Sequence, residues 1–93
     1  MRNHGHHLGK IIRSKREARG VTTITLGKLI NRDSRLITNC EKGNAGLALK
    51  HVVTIANYLK ADLDEFLDAM VQDYNDSLSR ELNEINKGVN FEN

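Results

Sequence analysis

The stretch TTITLGKLINRDSRLITNCEKG, residues 22–43, contains two short helix patterns separated by a turn. Thr22 is a suitable N-cap for the first helix, and Asn31, a residue type that tolerates a left-handed backbone, closes that helix. Asp33 is placed to cap the second helix, which ends at Gly43 because glycine adopts the left-handed conformation needed there. The sequence therefore predicts two short helices joined by a turn of three or four residues.

Helix patterns continue on both sides of this stretch. Upstream, apolar residues of the segment 8–19 recur at helical spacing and the segment ends at Gly20. Downstream, a fourth helix is predicted with one apolar side made of Leu49, Val52, Val53, Ala56 and Leu59. The residues DLDE, 62–65, match a capping box in which Asp62 caps a fifth helix and Glu65 reaches back to the Asp62 amide. The chain is thus predicted to be all-α with five helices.

The fifth helix is predicted to be long, over about residues 62–87, and amphipathic. Apolar residues recur every three or four positions along it: Leu63, Leu67, Val71, Tyr74, Leu78, Leu82, Ile85 and Val89. At ~100° per residue they occupy about a quarter of the helix circumference, so this face must be buried on the protein's own domain or on a second copy. The length of the helix favours the second copy, with a dimerisation surface made of Val71, Tyr74, Leu78, Leu82 and Ile85. The irregular spacing favours helix packing over a long coiled coil.

The size and composition of the chain limit its class. Its 93 residues form one small domain, and the single cysteine excludes an intramolecular disulfide. Apolar runs are too short to cross a bilayer, and no secretory segment is recognisable, so we expect a cytoplasmic protein.

Charge is distributed unevenly along the chain. Residues 1–50 carry eleven Lys or Arg and three acidic residues, a net charge of +8, whereas residues 51–93 carry three basic and nine acidic residues, a net charge of −6. This polarity indicates that the N-terminal half meets a polyanion. The alternative is an ordinary solvated basic surface.

No set of residues in the sequence indicates catalysis or a cofactor. There is no glycine-rich phosphate loop and no nucleophile–base pair, and capping explains two of the carboxylates in DLDE. His4, His6 and His7 have no cysteine partner, so no metal site is predicted. Cys40 is interpreted as a small core residue rather than a redox sensor. We expect a protein that is not an enzyme.

Two short helices joined by a turn in a basic region are typical of a helix-turn-helix. Residues 8–67 resemble, without gaps, the phage-repressor and Cro-like (XRE-type) helix-turn-helix DNA-binding family. The matching residues are Leu8, Ile12, Arg16, Gly20, Val21, Thr22, Leu26, Gly27, Ile37, Glu41, Lys42, Gly43, Leu49, Ile55, Ala56, Leu59 and the LDEFL of 63–67. The resemblance implies a lambda-repressor-like domain at 8–67, with an N-terminal arm at 1–7 and a helical extension at 68–93.

The resemblance also assigns roles in binding double-stranded DNA. Helix 23–30 would lie across the DNA backbone and helix 34–42 would enter the major groove. The implied base-reading residues are Ser34, Arg35, Thr38 and Asn39, and the implied phosphate contacts are Thr23, Lys42 and the backbone or side chain of Asn44. Arg16 and Glu41 would form a structural ion pair. The sequence departs from the family at Thr23, where glutamine is usual, at Ile24 and Leu29, where polar residues are usual, and at Leu36, where a small hydroxyl residue is common.

These observations favour a sequence-specific transcriptional regulator, a repressor, that binds a palindromic or pseudopalindromic operator as a homodimer. The alternative is an antitoxin or protein-interaction regulator whose C-terminal helix binds a partner protein, with DNA binding serving autoregulation. A third possibility, a domain that kept the fold but lost DNA binding, is disfavoured by the +8 charge of residues 1–50.

Overall fold

The computed structural model describes residues 7–88 of the chain, with side chains described up to residue 85. Within this range the chain forms five α-helices and no strand. The helices are α1 (His7–Ala18), α2 (Thr23–Leu29), α3 (Ser34–Glu41), α4 (Leu49–Tyr58) and α5 (Leu63–Gly88). The all-α, five-helix prediction is confirmed. His4, His6 and Val89, which entered the sequence interpretation, lie outside the described residues.

The residues that begin and end α2 and α3 have the capping roles that the sequence predicts. The side-chain oxygen of Thr22 accepts a hydrogen bond from the Thr25 amide, and the Asp33 carboxylate accepts one from the Arg35 amide. Each cap satisfies a backbone donor that has no partner inside its helix. Asn31 has φ of 58° and Gly43 has φ of 84°, so both adopt the left-handed backbone that ends a helix.

All five helices contribute to one apolar core. Its fully buried large side chains are Ile12, Leu26, Ile37, Val52, Ile55, Leu59 and Phe66. The prediction for α4 was wrong at one position, because Leu49 is 56% exposed. Leu49 is the first residue of α4, one turn before the helix reaches the core, so its side chain remains exposed. The inward face of α4 consists of Val52, Ile55 and Ala56.

Two glycines allow the backbones of neighbouring helices to approach closely. A Cβ atom at Gly27 would lie 2.8 Å from the Arg32 carbonyl oxygen and 3.1 Å from the Ser34 Cα. A Cβ atom at Gly9 would overlap the Cys40 carbonyl oxygen. Both contacts involve backbone atoms, which cannot rotate away as a side chain can. Gly27 therefore sets the close contact of α2 with the turn before α3, and Gly9 sets the contact of α1 with α3.

Helix α5 has two apolar faces rather than one. Phe66 and Ala69 are buried in the core, and Met70 is partly buried beside them. The predicted stripe lies on a different face, about a third of a turn away. Leu63 packs partly against the core at the start of the stripe. Val71, Tyr74, Leu82 and Ile85 are between 50% and 65% exposed, so this part of the stripe is not buried on the protein's own domain.

The start of α5 contains one half of the predicted capping box. Asp62 Oδ1 accepts a hydrogen bond from the Asp64 amide at 3.0 Å. The other half was wrong: among the described residues, the Asp62 amide donates no hydrogen bond to the Glu65 carboxylate. Glu65 Oε1 instead lies 3.5 Å from Lys15 Nζ, because α1 packs alongside and offers a cation to this carboxylate.

A carboxylate of α5 also caps the beginning of α1. Asp73 Oδ1 accepts a hydrogen bond from the His7 amide at 2.8 Å, and Oδ2 accepts one from the Leu8 amide at 3.1 Å. The His7 ring nitrogen Nδ1 lies 2.9 Å from Asp73 Oδ1. These amides have no partner within α1, and a negative charge at a helix N-terminus is favourable. The contact joins α5 to the domain ten residues after the helix begins.

Candidate nucleic-acid interface

Helix α3 presents one face to the core and another to solvent. Ile37 and Cys40 are buried, whereas Arg35 and Asn39 are exposed. Ser34 and Thr38 are half-buried on the flank, where Thr38 Oγ1 donates a hydrogen bond to the Ser34 carbonyl oxygen at 3.3 Å. The four predicted base-reading residues, Ser34, Arg35, Thr38 and Asn39, are thus brought together on the outer side of one helix.

Arg35 is held by the residue that caps its own helix. Its Nε lies 3.2 Å from Asp33 Oδ1, and its Nη2 lies 3.2 Å from Asp33 Oδ2. The hydrogen bonds from Arg35 lower the pKa of the Asp33 carboxyl, and the same pairing raises the pKa of Arg35. The Asp33 carboxylate thus pairs with an exposed guanidinium at the N-terminal end of α3, an interaction that was not predicted from the sequence.

The predicted phosphate contacts lie at two helix ends. Thr23 is the first residue of α2 and is half-buried, and Lys42 is exposed where α3 ends. The Asn44 amide donates a hydrogen bond of 2.8 Å to the Asn39 carbonyl oxygen. This amide is therefore engaged in closing α3, and of the two groups predicted at Asn44 only the exposed side chain remains available for a phosphate.

An ion pair joins the end of α3 to α1. Arg16 Nε donates to Glu41 Oε2 at 2.7 Å, and Nη2 donates to Glu41 Oε1 at 3.0 Å. Arg16 Nη1 also donates to the Val21 carbonyl oxygen at 3.0 Å, so the guanidinium reaches the α1–α2 turn as well. The side chains of Arg16 and Glu41 are only 13% and 8% exposed. The hydrogen bond to Glu41 raises the pKa of Arg16, and the pair fixes α3 relative to α1.

The apolar departures from the family pattern have different environments. Leu36 on α3 is half-buried and packs against the core, which indicates a structural contribution for this side chain. Ile24 on α2 is exposed, and so is Leu29 at the end of the same helix. Leu29 is the better covered of the two, at 36% exposed against 58% for Ile24.

Cys40 lies inside the core near the end of α3. Burial raises the pKa of its thiol to about 12, and the negative charges of Asp73 and Glu41 contribute in the same direction. The nucleophile in thiol chemistry is the thiolate, which is therefore scarce in the folded protein at neutral pH.

We expect the folded protein to react with a thiol reagent such as Ellman's reagent at pH 8 roughly 100-fold or more slowly than the urea-unfolded chain. Because the folded pKa lies above the ordinary value of 9.0, the stability due to the protonated thiol is complete below pH 9.0 and is lost as the pH rises towards about 12. Absorbance kinetics measure the reaction. Equal rates for the folded and unfolded forms would show that Cys40 is accessible.

Neither a membrane-spanning helix nor a metal-binding cluster occurs in the part of the chain that the structure describes. None of its helices combines the length and the apolar character that crossing a bilayer requires. Across the same residues, no group of three or more His, Cys, Asp or Glu side chains is arranged to hold a metal ion.

Comparison with known proteins identifies the fold. No protein-family model matches the chain, and no curated protein matches it by sequence. Among solved structures, the chain is similar to the clp gene regulator ClgR from Corynebacterium glutamicum, with a TM-score of 0.62 and 20% sequence identity. The superposition covers 86% of this chain and 86% of that chain. The likeness therefore establishes that the two proteins share an all-α fold over most of their length.

Proposed function

We propose that this protein is a sequence-specific DNA-binding transcriptional regulator, a repressor, that inserts helix 34–42 into the major groove. The observation that carries the proposal is the outer face of α3, where Arg35 and Asn39 are exposed beside Ser34 and Thr38. The opposite face of the same helix is fixed by the core and by the Arg16–Glu41 pair. A helix held in this way presents its polar side chains at constant positions, as the reading of base edges requires.

The chemistry of these side chains suits the major groove. Arg35 can donate two hydrogen bonds to guanine O6 and N7, and Asn39 can form a two-hydrogen-bond pair with adenine. Thr23, Lys42 and the Asn44 side chain are placed at the ends of α2 and α3, where they would contact phosphates and set the position of the protein on the duplex. The net charge of +8 over residues 1–50 supports a polyanionic partner.

The proposed active form is a homodimer on a palindromic or pseudopalindromic operator. The exposed apolar stripe of α5 supports this, since a helix of this kind requires a partner surface. Two symmetric copies would read two half-sites spaced by about one turn of DNA or a multiple of it.

Replacement of Arg35 by alanine tests the base-reading role. A binding motif is first obtained by selection of the wild-type protein on a random DNA pool. The Arg35→Ala protein should bind the selected operator about 10-fold or more weakly and should lose the guanine preference at one position of each half-site. Fluorescence anisotropy with matched and guanine-substituted operators measures both effects.

Arg35→Lys is the matched control, because it keeps the positive charge but loses the planar fork that recognises guanine. We expect it to retain the salt dependence of binding while relaxing base preference. An unchanged motif and affinity in both variants would contradict the assignment of α3 as the reading helix.

The exposed stripe also supports a second candidate function, a regulator whose C-terminal helix binds another protein. In that case the isolated chain would be monomeric and its stripe would be covered only in a complex. Light scattering on the purified protein separates the two candidates.

A further inference from the structure

The exposed stripe of α5 has a symmetric spacing. Val71, Tyr74, Leu78, Leu82 and Ile85 are separated by three, four, four and three residues, so the series reads the same in both directions about Leu78. Four of them are at least half exposed, and Leu78 is half-buried. Taking ~100° per residue, all five lie within about 40° of the direction of Leu78. The stripe is therefore a narrow surface that can match its own inverted copy.

We propose that two copies of this chain pair their α5 helices antiparallel, with a two-fold axis at Leu78. The inference rests on the proposed dimeric regulator and specifies how its dimer is built. In this pairing Val71 lies level with the partner's Ile85, and Tyr74 lies level with the partner's Leu82. The two stripes together would bury on the order of 1,000 Å², the lower limit for a specific interface.

Charge favours the antiparallel arrangement over a parallel one. The first half of α5 is acidic: residues 63–76 carry five acidic residues and no Lys or Arg, whereas residues 77–88 carry two basic and two acidic residues. Antiparallel pairing places the acidic half of each helix beside the balanced half of its partner. Parallel pairing would place the two acidic halves side by side and would align the two helix dipoles unfavourably.

An apolar pocket of about 360 Å³ continues the stripe towards the reading helix. Its lining includes Leu8, Cys40, Leu47, Met70 and Tyr74, which come from α1, α3, the α3–α4 loop and α5. In the antiparallel pair the partner's Leu82 would lie against Tyr74, at the edge of this pocket. The proposed interface would thus touch the residues that surround the end of α3.

The pairing also sets the distance between the two domains. Phe66 anchors α5 in the core twelve residues before Leu78, so the two copies of Phe66 would be separated by roughly 36 Å along the paired helices at 1.5 Å per residue. This separation of the two core anchors is of the same order as the ~34–36 Å between half-sites one helical turn apart, to which the two α3 helices would bind. Because Asp73 joins α5 to the start of α1, the direction of the helix is set relative to the DNA-binding domain.

Cross-linking between single-cysteine substitutions tests the direction of pairing. Tyr74→Cys and Leu82→Cys proteins are prepared separately in the full chain and treated with a short bismaleimide, alone and as an equimolar mixture. The antiparallel pair predicts several-fold more cross-linked dimer in the mixture than in either protein alone. The wild-type protein, in which native Cys40 is buried, gives the background level of cross-linking. Efficient cross-linking of each variant with itself and no gain in the mixture would overturn the proposal in favour of a parallel pair.

Leu78→Glu tests the position of the axis. Two glutamates facing each other at the centre should weaken dimerisation roughly 100-fold or more. Ser79→Glu, one residue away on an exposed position, is the matched control and should remain dimeric. Sedimentation velocity gives the mass, and circular dichroism shows whether each variant is folded. A wild-type protein that is monomeric at micromolar concentration, or a folded Leu78→Glu protein that remains fully dimeric, would overturn the proposal.

DNA binding by the same proteins separates this inference from the proposed function. A monomeric protein that still selects one half-site motif would contradict the dimer and leave the regulator proposal standing. A cross-linked antiparallel dimer that binds no DNA sequence preferentially would contradict the regulator proposal and leave the dimer standing.

Discussion

Replacing Gly9 by alanine is expected to destabilise the protein by about 3 kcal/mol or more. The new Cβ atom would overlap the Cys40 carbonyl oxygen and would lie 2.9 Å from both the Cys40 carbonyl carbon and the Glu41 Cα. All three are backbone atoms of α3, so the only relief is to move α1 away from α3. Since this contact connects α1 with the proposed reading helix, the displacement would disturb the core and the Arg16–Glu41 pair together. The free energy of unfolding of a domain this small is itself low, so a loss of this size is a large fraction of it.

Urea unfolding followed by circular dichroism measures this effect. Gly46→Ala is the matched control, because a Cβ atom there meets no atom within 4 Å and the residue does not have the backbone conformation that requires glycine. We expect its unfolding midpoint to stay close to that of the wild-type protein. A Gly9→Ala midpoint equal to that of Gly46→Ala would show that α1 and α3 are not in close backbone contact.

Replacing Arg16 by methionine is expected to cost about 3 kcal/mol of stability, because it leaves the largely buried Glu41 carboxylate without a partner. It also removes the donor to the Val21 carbonyl oxygen. Arg13→Met is the matched control: Arg13 pairs with Glu17 on the same helix, but their side chains are 63% and 55% exposed. Removing such a surface pair changes stability by only ~0.5 kcal/mol.

A double substitution shows whether Arg16→Met lowers stability by leaving the Glu41 charge unpaired or by removing side-chain packing. Arg16→Met combined with Glu41→Leu removes both charges, so we expect it to regain much of the stability lost by Arg16→Met alone. The comparison is made by urea unfolding of the two single variants and the double variant. Strictly additive losses would mean that Arg16 and Glu41 do not interact in solution.

The proposed reading face followed from short-range patterns. Thr22, Asn31, Asp33 and Gly43 each act within one turn of their own position, so their residue types alone indicate where α2 and α3 begin and end. The division of α3 into an inward and an outward face follows from helical periodicity, which depends only on spacing. These features were therefore predictable before any tertiary contact was known.

Other features depend on residues that are distant in sequence. The cap on α1 comes from Asp73, sixty-six residues after His7, and no local pattern links the two. The same limit explains the misassigned Leu49 and the Glu65 side chain, which pairs with Lys15 of α1. The cap on α1 depends on unsatisfied amide donors, the pairing of Glu65 depends on a nearby cation, and the exposure of Leu49 depends on its distance from the core. All three are properties of the packed helices.

Helix α5 illustrates both kinds of information. Its periodicity was sufficient to predict a long amphipathic helix with an apolar stripe, because the pattern is local. Which face enters the core was decided by packing: α5 contacts α1 and α4, Phe66 and Ala69 are buried, and Val71, Tyr74 and Ile85 on the other face remain exposed. The spacing of the apolar residues was enough to predict that this face exists. Only the packing of the helices determines that the face stays exposed and available to a partner.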